Sequence, residues 1–242
     1  MGKKLLYVPQ CHSTNTTANE LLNKEELPDG TLIITGDQTK GRGQRGNVWE
    51  SESGSNLTFT VVLKPLFLQP KDQFHLNIVI SLGITDYLNN LFHRTALIKW
   101  PNDILFNLKK VGGILIENQI SGNRLTTSLV GIGLNVNQEK FSSPRAASLR
   151  TFSGVSFSLD KELEDLLSYV ESRYLQLKSG NSKVLMDIYL ERLFGFDEWR
   201  TYRMDEATLE GKIIGVDDAG KLIIETKLGR RSFDLKEIEF IY

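Results

Sequence analysis

Two short polar stretches of this chain combine residue types that suit the handling of anions. Residues 41–46, Gly-Arg-Gly-Gln-Arg-Gly, contain three glycines whose backbone N–H groups can turn inward on an anion, and two arginines that supply charge. Residues 99–103, Lys-Trp-Pro-Asn-Asp, contain a proline that fixes its own φ and displays a polar cluster with little conformational freedom. Together, such stretches suit the activation of a carboxylic acid by a nucleotide.

Each stretch alone also fits an ordinary surface turn. Residues 41–46 match neither the dinucleotide glycine pattern, because no helix start follows, nor the P-loop, because no Gly-Lys-Ser/Thr closes the stretch. An Asx-capped β-turn is the simpler explanation of residues 99–103. The side chain of Asn102 can donate and accept hydrogen bonds. Asp103 can bind Mg²⁺ or accept a proton, and Lys99 can offset negative charge.

Two glycine-bearing segments further along carry less information by themselves. Lys109 and Lys110 precede Gly112 and Gly113 in a predicted strand whose backbone another group can approach closely. Residues 131–137, Gly-Ile-Gly-Leu-Asn-Val-Asn, end another predicted strand with an amide side chain. Solvated turn lysines and an ordinary strand end are the simpler explanations of these segments.

Composition argues against several classes of function. The balance of 29 basic and 30 acidic residues gives a net charge of -1, so no broad field attracts nucleic acid or an anionic membrane. A single cysteine, Cys11, excludes an intrachain disulfide framework, and three scattered histidines argue against a structural zinc site. No apolar run approaches the ~18 residues that a membrane helix needs. We expect a cytoplasmic protein with no nucleic-acid or membrane partner.

The hydrophobic pattern predicts an α+β fold. Apolar residues recur three and four apart in two long segments, which predicts amphipathic helices over residues 72–91 and 163–177. Further helices are predicted over residues 13–27 and 184–193, and residues 138–159 are predicted as a long loop. The β-rich segments are residues 4–8, 31–35, 56–63, 96–100, 104–106, 112–120 and 125–135. We therefore predict a mixed β-sheet with flanking helices.

The last part of the chain has a different pattern. After Trp199, short strands are predicted over residues 209–216, 222–225 and 232–241, which indicates a small β-barrel-like domain. We place the first domain at residues 1–194 and the second at residues 195–242. Because the first predicted strand begins at residue 4, we expect no N-terminal helix-turn-helix domain.

Taken together and in order, the motifs resemble those of the biotin protein ligases, over residues 13 to 137. The motifs are Ser13-Thr14-Asn15, the glycine stretch at 41–46, Trp49, the Lys-Trp-Pro-Asn-Asp stretch at 99–103, Lys-Val-Gly-Gly-Ile-Leu at 110–115 and the segment at 131–137. The resemblance implies a class II synthetase-like catalytic domain with a mixed sheet of the biotin/lipoate ligase type. It also implies that the C-terminal domain is an SH3-like β-barrel.

The resemblance implies a two-step reaction. Biotin's carboxylate attacks the α-phosphate of ATP to give biotinyl-5′-AMP and pyrophosphate. A lysine on the biotin carrier domain of a biotin-dependent carboxylase, such as biotin carboxyl carrier protein, then attacks the anhydride. Mg²⁺ is the expected escort of ATP, with no ligands assigned, and the expected oligomeric state is a monomer or weak homodimer.

The resemblance also assigns a biotin site. Ser13, Thr14 and Gln38 are neutral hydrogen-bonding groups that suit an uncharged ureido ring, where a charge would stay unpaired. Arg42 and Lys110 hold the carboxylate and the phosphate as charge builds there. The implied biotin-binding set is Ser13, Thr14, Asn15, Gln38, Gly41, Arg42, Gly43, Gln44, Lys110 and Gly113.

The implied ATP site overlaps the biotin site. Its residues are Arg42, Arg45, Trp49, Lys99, Asn102, Asp103, Lys110 and Asn135. Trp49 packs on adenine, and Asn135 contacts ribose or phosphate. The implied catalytic residues are Lys110, Arg42 and Asp103, and Asp103 accepts the proton of the carrier lysine because an ammonium cannot attack.

One departure from the family and two alternatives stay open. Many relatives carry an arginine at the position of Gln44 that helps to retain the adenylate, so retention here falls to Arg42 or Arg45. The first alternative is a lipoate or octanoate protein ligase of the related family, whose Arg-Arg-x-Ser-Gly-Gly-Gly motif is not found. The second is a biotin or nucleotide sensor that represses transcription, against which the balanced charge counts.

Overall fold

Two β-sheets form the frame of the molecule. A computed structural model describes residues 1–204 and 207–241, apart from the side chain of Arg45. The first sheet has seven strands and belongs to the N-terminal part of the chain, and the second has five strands and belongs to the C-terminal part. The predicted α+β class is confirmed.

The seven-stranded sheet is mixed, as predicted. Its strands are β1 (Leu5–Cys11), β2 (Thr31–Gln38), β3 (Leu57–Leu63), β4 (Leu97–Lys99), β5 (Asp103–Phe106), β6 (Lys109–Ser121) and β7 (Arg124–Leu134). Their spatial order is β1-β2-β3-β7-β6-β5-β4. Only the β1–β2 pair is parallel, and the remaining neighbours are antiparallel. The hairpins put residues of β5, β6 and β7 side by side.

Helices cover both faces of this sheet. They are α1 (Thr14–Leu22), α2 (Phe74–Phe92), α3 (Leu149–Ser153), α4 (Leu159–Lys178) and α5 (Ser182–Glu191). Phe59 and Val61 of β3 belong to the large core with α2 and α4, whereas Val62 packs with Ala18 of α1. Because side chains alternate along a strand, Thr58 and Thr60 lie on the α1 face. That face is therefore partly polar.

One helix prediction and one loop prediction need correction. The first helix ends at Leu22 rather than near residue 27, because the chain turns at once: the backbone N–H groups of Lys24 and Glu25 both donate to the carbonyl of Leu21. Residues 138–159 are not only a loop, because α3 forms within them. A reciprocal capping box between Ser148 and Thr151 begins α3.

Two polar side chains of α2, Tyr87 and Asp86, fix this helix to the segments that follow. The hydroxyl of Tyr87 donates to Glu162 Oε2 at 2.5 Å, with both residues buried. Burial, and then the hydrogen bond to Glu162, raise the pKa of Tyr87 above its ordinary value. Asp86 accepts from Arg173 Nε at 2.6 Å and from Arg192 Nη1 at 2.7 Å. One carboxylate thus joins three segments.

The C-terminal sheet is antiparallel. Its strands are β8 (Trp199–Met204), β9 (Ala207–Val216), β10 (Leu222–Thr226), β11 (Gly229–Phe233) and β12 (Glu239–Phe240), in the order β11-β10-β9-β8-β12. The predicted single strand over residues 232–241 is wrong, because a turn divides it in two, with Lys236 in the left-handed region at φ 73. Closure into an SH3-like barrel and the domain boundary after residue 194 stay predictions.

No helix in the described part of the chain has the length and apolar character to cross a membrane.

Candidate functional site

A cavity of about 530 Å³ lies on the α1 face of the large sheet, between the glycine-rich loop and the C-terminal sheet. This is the size of a site for a small organic ligand. The predicted residues that line it are Ser13, Thr14, Asn15, Gln38, Arg42, Gly43, Gln44, Trp49, Lys99, Asn102, Asp103, Lys110 and Gly113. The fold therefore gathers nearly the whole predicted set into one place.

Two predicted residues, Gly41 and Asn135, are not part of this lining. Gly41 is buried, and its carbonyl accepts from the Trp49 backbone N–H at 3.0 Å. Asn135 is also buried, and its Nδ2 donates to the Ala147 carbonyl at 3.0 Å, a contact that fixes the chain after β7. The side chain of Arg45 lies outside what the structure describes.

One end of the cavity is neutral and polar, and it is organised by the start of α1. The Thr14 backbone N–H donates to Gln38 Oε1 at 2.9 Å. Thr60 Oγ1 lies 2.8 Å from Thr14 Oγ1 and 2.6 Å from Asn15 Oδ1. A Cβ at position 131 would lie 2.6 Å from Asn15 Oδ1, so Gly131 leaves the space that Asn15 needs on the sheet. The packing of Asn15 therefore explains why β7 has a glycine at position 131.

The glycine-rich loop folds over this end. Arg42 and Val48 form an isolated antiparallel β-bridge, and the Gly43 N–H donates to the Asn47 carbonyl at 2.7 Å. Between them, Gln44–Gly46 form one turn of 3-10 helix. The guanidinium of Arg42 pairs with Glu117, with 2.8 Å between Nη2 and Oε2. Glu117 was not predicted from the sequence, because a single glutamate in a strand carries no motif.

The other end of the cavity carries charge. Lys110 Nζ lies 2.5 Å from Asp103 Oδ1, and Lys99 Nζ lies 3.7 Å from Asp103 Oδ2. Asn102 Nδ2 donates to the Ile114 carbonyl at 2.5 Å, and the Trp100–Pro101 peptide bond is cis. Pairing of β5 with both β4 and β6 brings these residues together, so two ammonium groups lie beside one carboxylate.

The Trp49 ring packs against two glycines of the sheet, Gly113 and Gly133. A Cβ at Gly113 would lie 3.1 Å from the Trp49 ring, and a Cβ at Gly133 would collide with the indole. Trp49 Nε1 is buried and has no hydrogen-bond partner in the part of the chain that the structure describes. Lys110 Nζ lies 5.6 Å from the ring centroid, so the indole borders the charged end.

The C-terminal sheet supplies a wall that the sequence did not predict. The wall residues are Leu235, Lys236, Ile238, Glu239 and Phe240. Lys99 Nζ lies 5.8 Å from the Phe240 ring centroid, and Trp100 Nε1 donates to the Gly220 carbonyl at 2.9 Å. No motif marks these residues, because only folding brings them to Lys99.

A family model supports what the geometry suggests. The model of the biotin/lipoate A/B protein ligase family matches residues 7–135, the part of the chain that builds most of the cavity. The chain belongs to this family. The segment that matches the family model therefore contains most of the residues that line the cavity.

Individual relatives cover the rest of the chain as well. A bifunctional ligase/repressor BirA of Bacillus spizizenii is 32% identical across 99% of this chain and 74% of the relative. A biotin--[acetyl-CoA-carboxylase] ligase of Paracoccus denitrificans is 29% identical across 93% of this chain and 97% of the relative. Among solved structures, biotin protein ligase from Aquifex aeolicus in complex with biotin and ATP is 27% identical with a TM-score of 0.80, across 98% of both chains. The similarity to the Aquifex aeolicus structure therefore extends over the C-terminal sheet.

Proposed function

We propose that this protein activates biotin with ATP and transfers the biotinyl group to a lysine of the biotin carrier domain of a carboxylase. The observation that carries the proposal is a single cavity with a neutral hydrogen-bonding end at Thr14 and Gln38 and a cationic end at Lys110 and Lys99. Biotin has the matching polarity, because a neutral ureido ring and a carboxylate lie at its two ends. The Aquifex aeolicus ligase, which resembles this chain over nearly its full length, binds biotin and ATP.

The neutral end is proposed to bind the ureido ring. Ser13, Thr14 and Asn15 are buried and uncharged, so a neutral ring with donors and an acceptor can be satisfied there without an unpaired charge. Gln38 adds an amide. Gly43 lines the cavity and is proposed to contact the ligand, and Gly41 is proposed to support the loop through the contact of its carbonyl with Trp49. Gly113 and Gln44 complete the proposed biotin site.

The charged end is proposed to carry out the first step. A biotin carboxylate oxygen attacks the α-phosphorus of ATP; a P–O bond forms while the bond to the bridging oxygen of pyrophosphate breaks. Lys110 offsets the charge that builds on the phosphoryl oxygens, and Arg42 assists it. An incoming anion replaces Asp103 as the partner of Lys110.

The second step needs a base. The ammonium of the carrier lysine must lose a proton before its nitrogen can attack, and Asp103 is the carboxylate proposed to accept it. The N–C bond to the biotinyl carbonyl then forms as the C–O bond to AMP breaks. AMP leaves with the electron pair.

The nucleotide is proposed to lie along Trp49, Lys99 and Asn102. Trp49 presents a flat face and a buried N–H without a partner in the described chain, which suits an adenine ring. Arg45 is proposed to support retention of the adenylate, because Gln44 carries no charge. Asn135 is also proposed to contact ATP, although it is buried and is not one of the residues that line the cavity.

Mg²⁺ is proposed to arrive with ATP. No group of three or more His, Cys, Asp or Glu side chains that could hold a metal occurs among the described residues. Mg²⁺ in nucleotide sites is commonly held by one or two carboxylates together with substrate phosphates, and Asp103 fits that limited role. The ion would neutralise phosphate charge, and the chain's lysines would share that task.

The setting of the enzyme is also a proposal. We propose a cytoplasmic monomer or weak homodimer with no nucleic-acid or membrane partner, whose protein substrate is a biotin carrier domain. A lipoate or octanoate ligase is the second candidate because the family includes such enzymes. The polar lining around Thr14 disfavours it, since an alkyl or dithiolane tail would leave these groups without partners.

Mass spectrometry of a biotin carrier domain tests the function. The carrier is incubated with the protein, Mg²⁺-ATP and either biotin, lipoate or octanoate. We expect one biotinyl group per carrier and no lipoyl or octanoyl product. A carrier whose target lysine is replaced by arginine is the control and should stay unmodified. Equal labelling by lipoate would contradict the proposal.

A further inference from the structure

Glu117 occupies an unassigned position beside the neutral end of the cavity. It lies on β6, two and four residues beyond Leu115 and Gly113, which line the cavity, so strand alternation puts it on the same face. Its Oε2 accepts from Asn15 Nδ2 at 2.7 Å and from Arg42 Nη2 at 2.8 Å. One carboxylate oxygen thus joins α1 to the glycine-rich loop.

This carboxylate fixes the orientation of the Asn15 amide. A carboxylate paired with a guanidinium only accepts hydrogen bonds, so Asn15 must turn its NH₂ group to Glu117. The second N–H of the same group faces another acceptor, the Leu115 carbonyl, at 3.2 Å. Asn15 Oδ1 is therefore left facing Thr60, 2.6 Å away.

The orientation of Asn15 in turn directs the hydroxyl protons. Thr60 has one hydroxyl proton and two oxygens within reach, Asn15 Oδ1 at 2.6 Å and Thr14 Oγ1 at 2.8 Å. Because Asn15 Oδ1 can only accept, we infer that Thr60 donates to it and that the proton in the contact between the two threonines comes from Thr14. That contact is shorter than the 3.3 Å between Thr14 Oγ1 and Gln38 Oε1. Thr14 then presents only lone pairs to the cavity. Gln38 Oε1 accepts from the Thr14 N–H, which leaves the Gln38 NH₂ group as a donor.

We propose that Glu117 is a positioning residue that sets the direction of this hydrogen-bond chain and so selects a neutral ligand with adjacent N–H and C=O groups. A cyclic urea has both, and can donate to Thr14 while it accepts from Gln38. This inference deepens the proposed function and rests on it for the identity of the ligand as biotin. Arg42 balances the charge of Glu117, so the polar end stays neutral.

Glu117→Gln is the direct test, because it keeps the size of the side chain but supplies an NH₂ group that can donate. The new NH₂ group then competes with the Leu115 carbonyl for the orientation of the Asn15 amide, so the fixed direction of Thr60 and Thr14 is weakened. By isothermal titration without nucleotide, we expect biotin to bind about 10- to 100-fold more weakly, the range for losing a hydrogen bond to a charged group. Glu139→Gln is the matched control, because it removes a carboxylate paired with Arg150 at 2.6 Å elsewhere on the surface.

Two further readouts separate positioning from general damage. Glu117→Gln should raise KM for biotin by a larger factor than it lowers kcat for adenylation, because Lys110, Lys99 and Asp103 keep their contacts while only Arg42 loses a charged partner. In an Asn15→Ala background, the same substitution should weaken biotin binding by less than about threefold, since the residue through which Glu117 acts is already absent.

The outcomes distinguish this inference from the proposed function. If the unsubstituted protein binds no biotin in the titration, the proposed function and this inference both fail. If the unsubstituted protein binds biotin and Glu117→Gln binds it equally well, only the role of Glu117 is overturned. The role is also overturned if Glu117→Gln and Asn15→Ala weaken binding by independent, multiplying factors.

Discussion

Lys110 and Asp103 form an ion pair on adjacent antiparallel strands, with 2.5 Å between Nζ and Oδ1. Both residues were predicted to be catalytic, but their contact with each other was not predicted. Lys99 lies 3.7 Å from the second oxygen of the same carboxylate. An anion that enters this end of the cavity must therefore compete with Asp103 for the two ammonium groups.

Lys110→Ala should slow formation of biotinyl-AMP by about 10²-fold or more, the order expected for losing one electrostatic contact to a transition state in a sheltered site. Pyrophosphate release measures this step. Transfer from separately supplied biotinyl-AMP should suffer less, because the anhydride already exists. The melting temperature should change by only a few degrees, since a partly exposed ion pair adds little stability. Lys109→Ala is the control, and a near-normal adenylation rate in Lys110→Ala would contradict the assignment.

Gly133→Ala should impair nucleotide binding, because the added Cβ collides with the indole of Trp49. Forcing a ring out of a filled site costs about 1–3 kcal/mol, so we expect KM for ATP to rise about tenfold or more. Gly215→Ala is the matched control, since its added Cβ would find its nearest neighbour 4.0 Å away on another strand. An unchanged KM for ATP in Gly133→Ala would show that Trp49 does not contact the nucleotide.

Residues 41–47 should become protected from amide hydrogen exchange when biotin and ATP bind. The glycines give this loop a large conformational entropy in the free protein, and bound anions offset the cost of ordering it. Hydrogen exchange followed by mass spectrometry measures the change, and β3, already buried in the sheet, serves as the internal reference. Equal exchange with and without ligands would contradict a role for this loop in closing the cavity.

Tyr87→Phe should destabilise the fold by about 1–3 kcal/mol, because it leaves the buried Glu162 carboxylate without its hydroxyl partner. Urea unfolding measures this loss, and Tyr7→Phe is the control, since Tyr7 is 62% exposed. Because the pKa of Tyr87 is raised in the folded protein, its contribution to the free energy of unfolding is complete below the ordinary pKa of 10.0. This contribution is lost as the pH rises above 10.0, where the tyrosine of the unfolded chain ionises first. The pH dependence above that value should therefore be shallower in Tyr87→Phe.

The sequence predicted the regular elements well where a periodic pattern existed. The apolar stripe over residues 72–91 became α2, Phe74–Phe92, and the strand predicted over residues 56–63 became β3, Leu57–Leu63. Local chemistry was less visible. The capping box that begins α3 was missed in a serine-rich segment, and the turn at Lys236 was missed because a lysine carries no signal for the left-handed region.

The cavity was predictable only where motifs marked it. Residues such as Thr14, Lys110 and Asp103 lie in recognisable stretches, and the fold brings them to one place. Glu117 and the wall at Phe240 carry no local pattern, because their importance comes from what tertiary structure places beside them. The contact of Arg42 with Glu117 is of the same kind, since it joins residues from a loop and a distant strand.

Biotin-dependent exchange of labelled pyrophosphate into ATP is the sharpest test of the proposed activity. The exchange reports reversible formation of an acyl adenylate and needs neither a carrier protein nor a variant. We predict that the protein with Mg²⁺-ATP exchanges pyrophosphate when biotin is present and stays at background with lipoate, octanoate or no acid. Exchange that biotin does not stimulate, or that lipoate stimulates equally, would contradict the account.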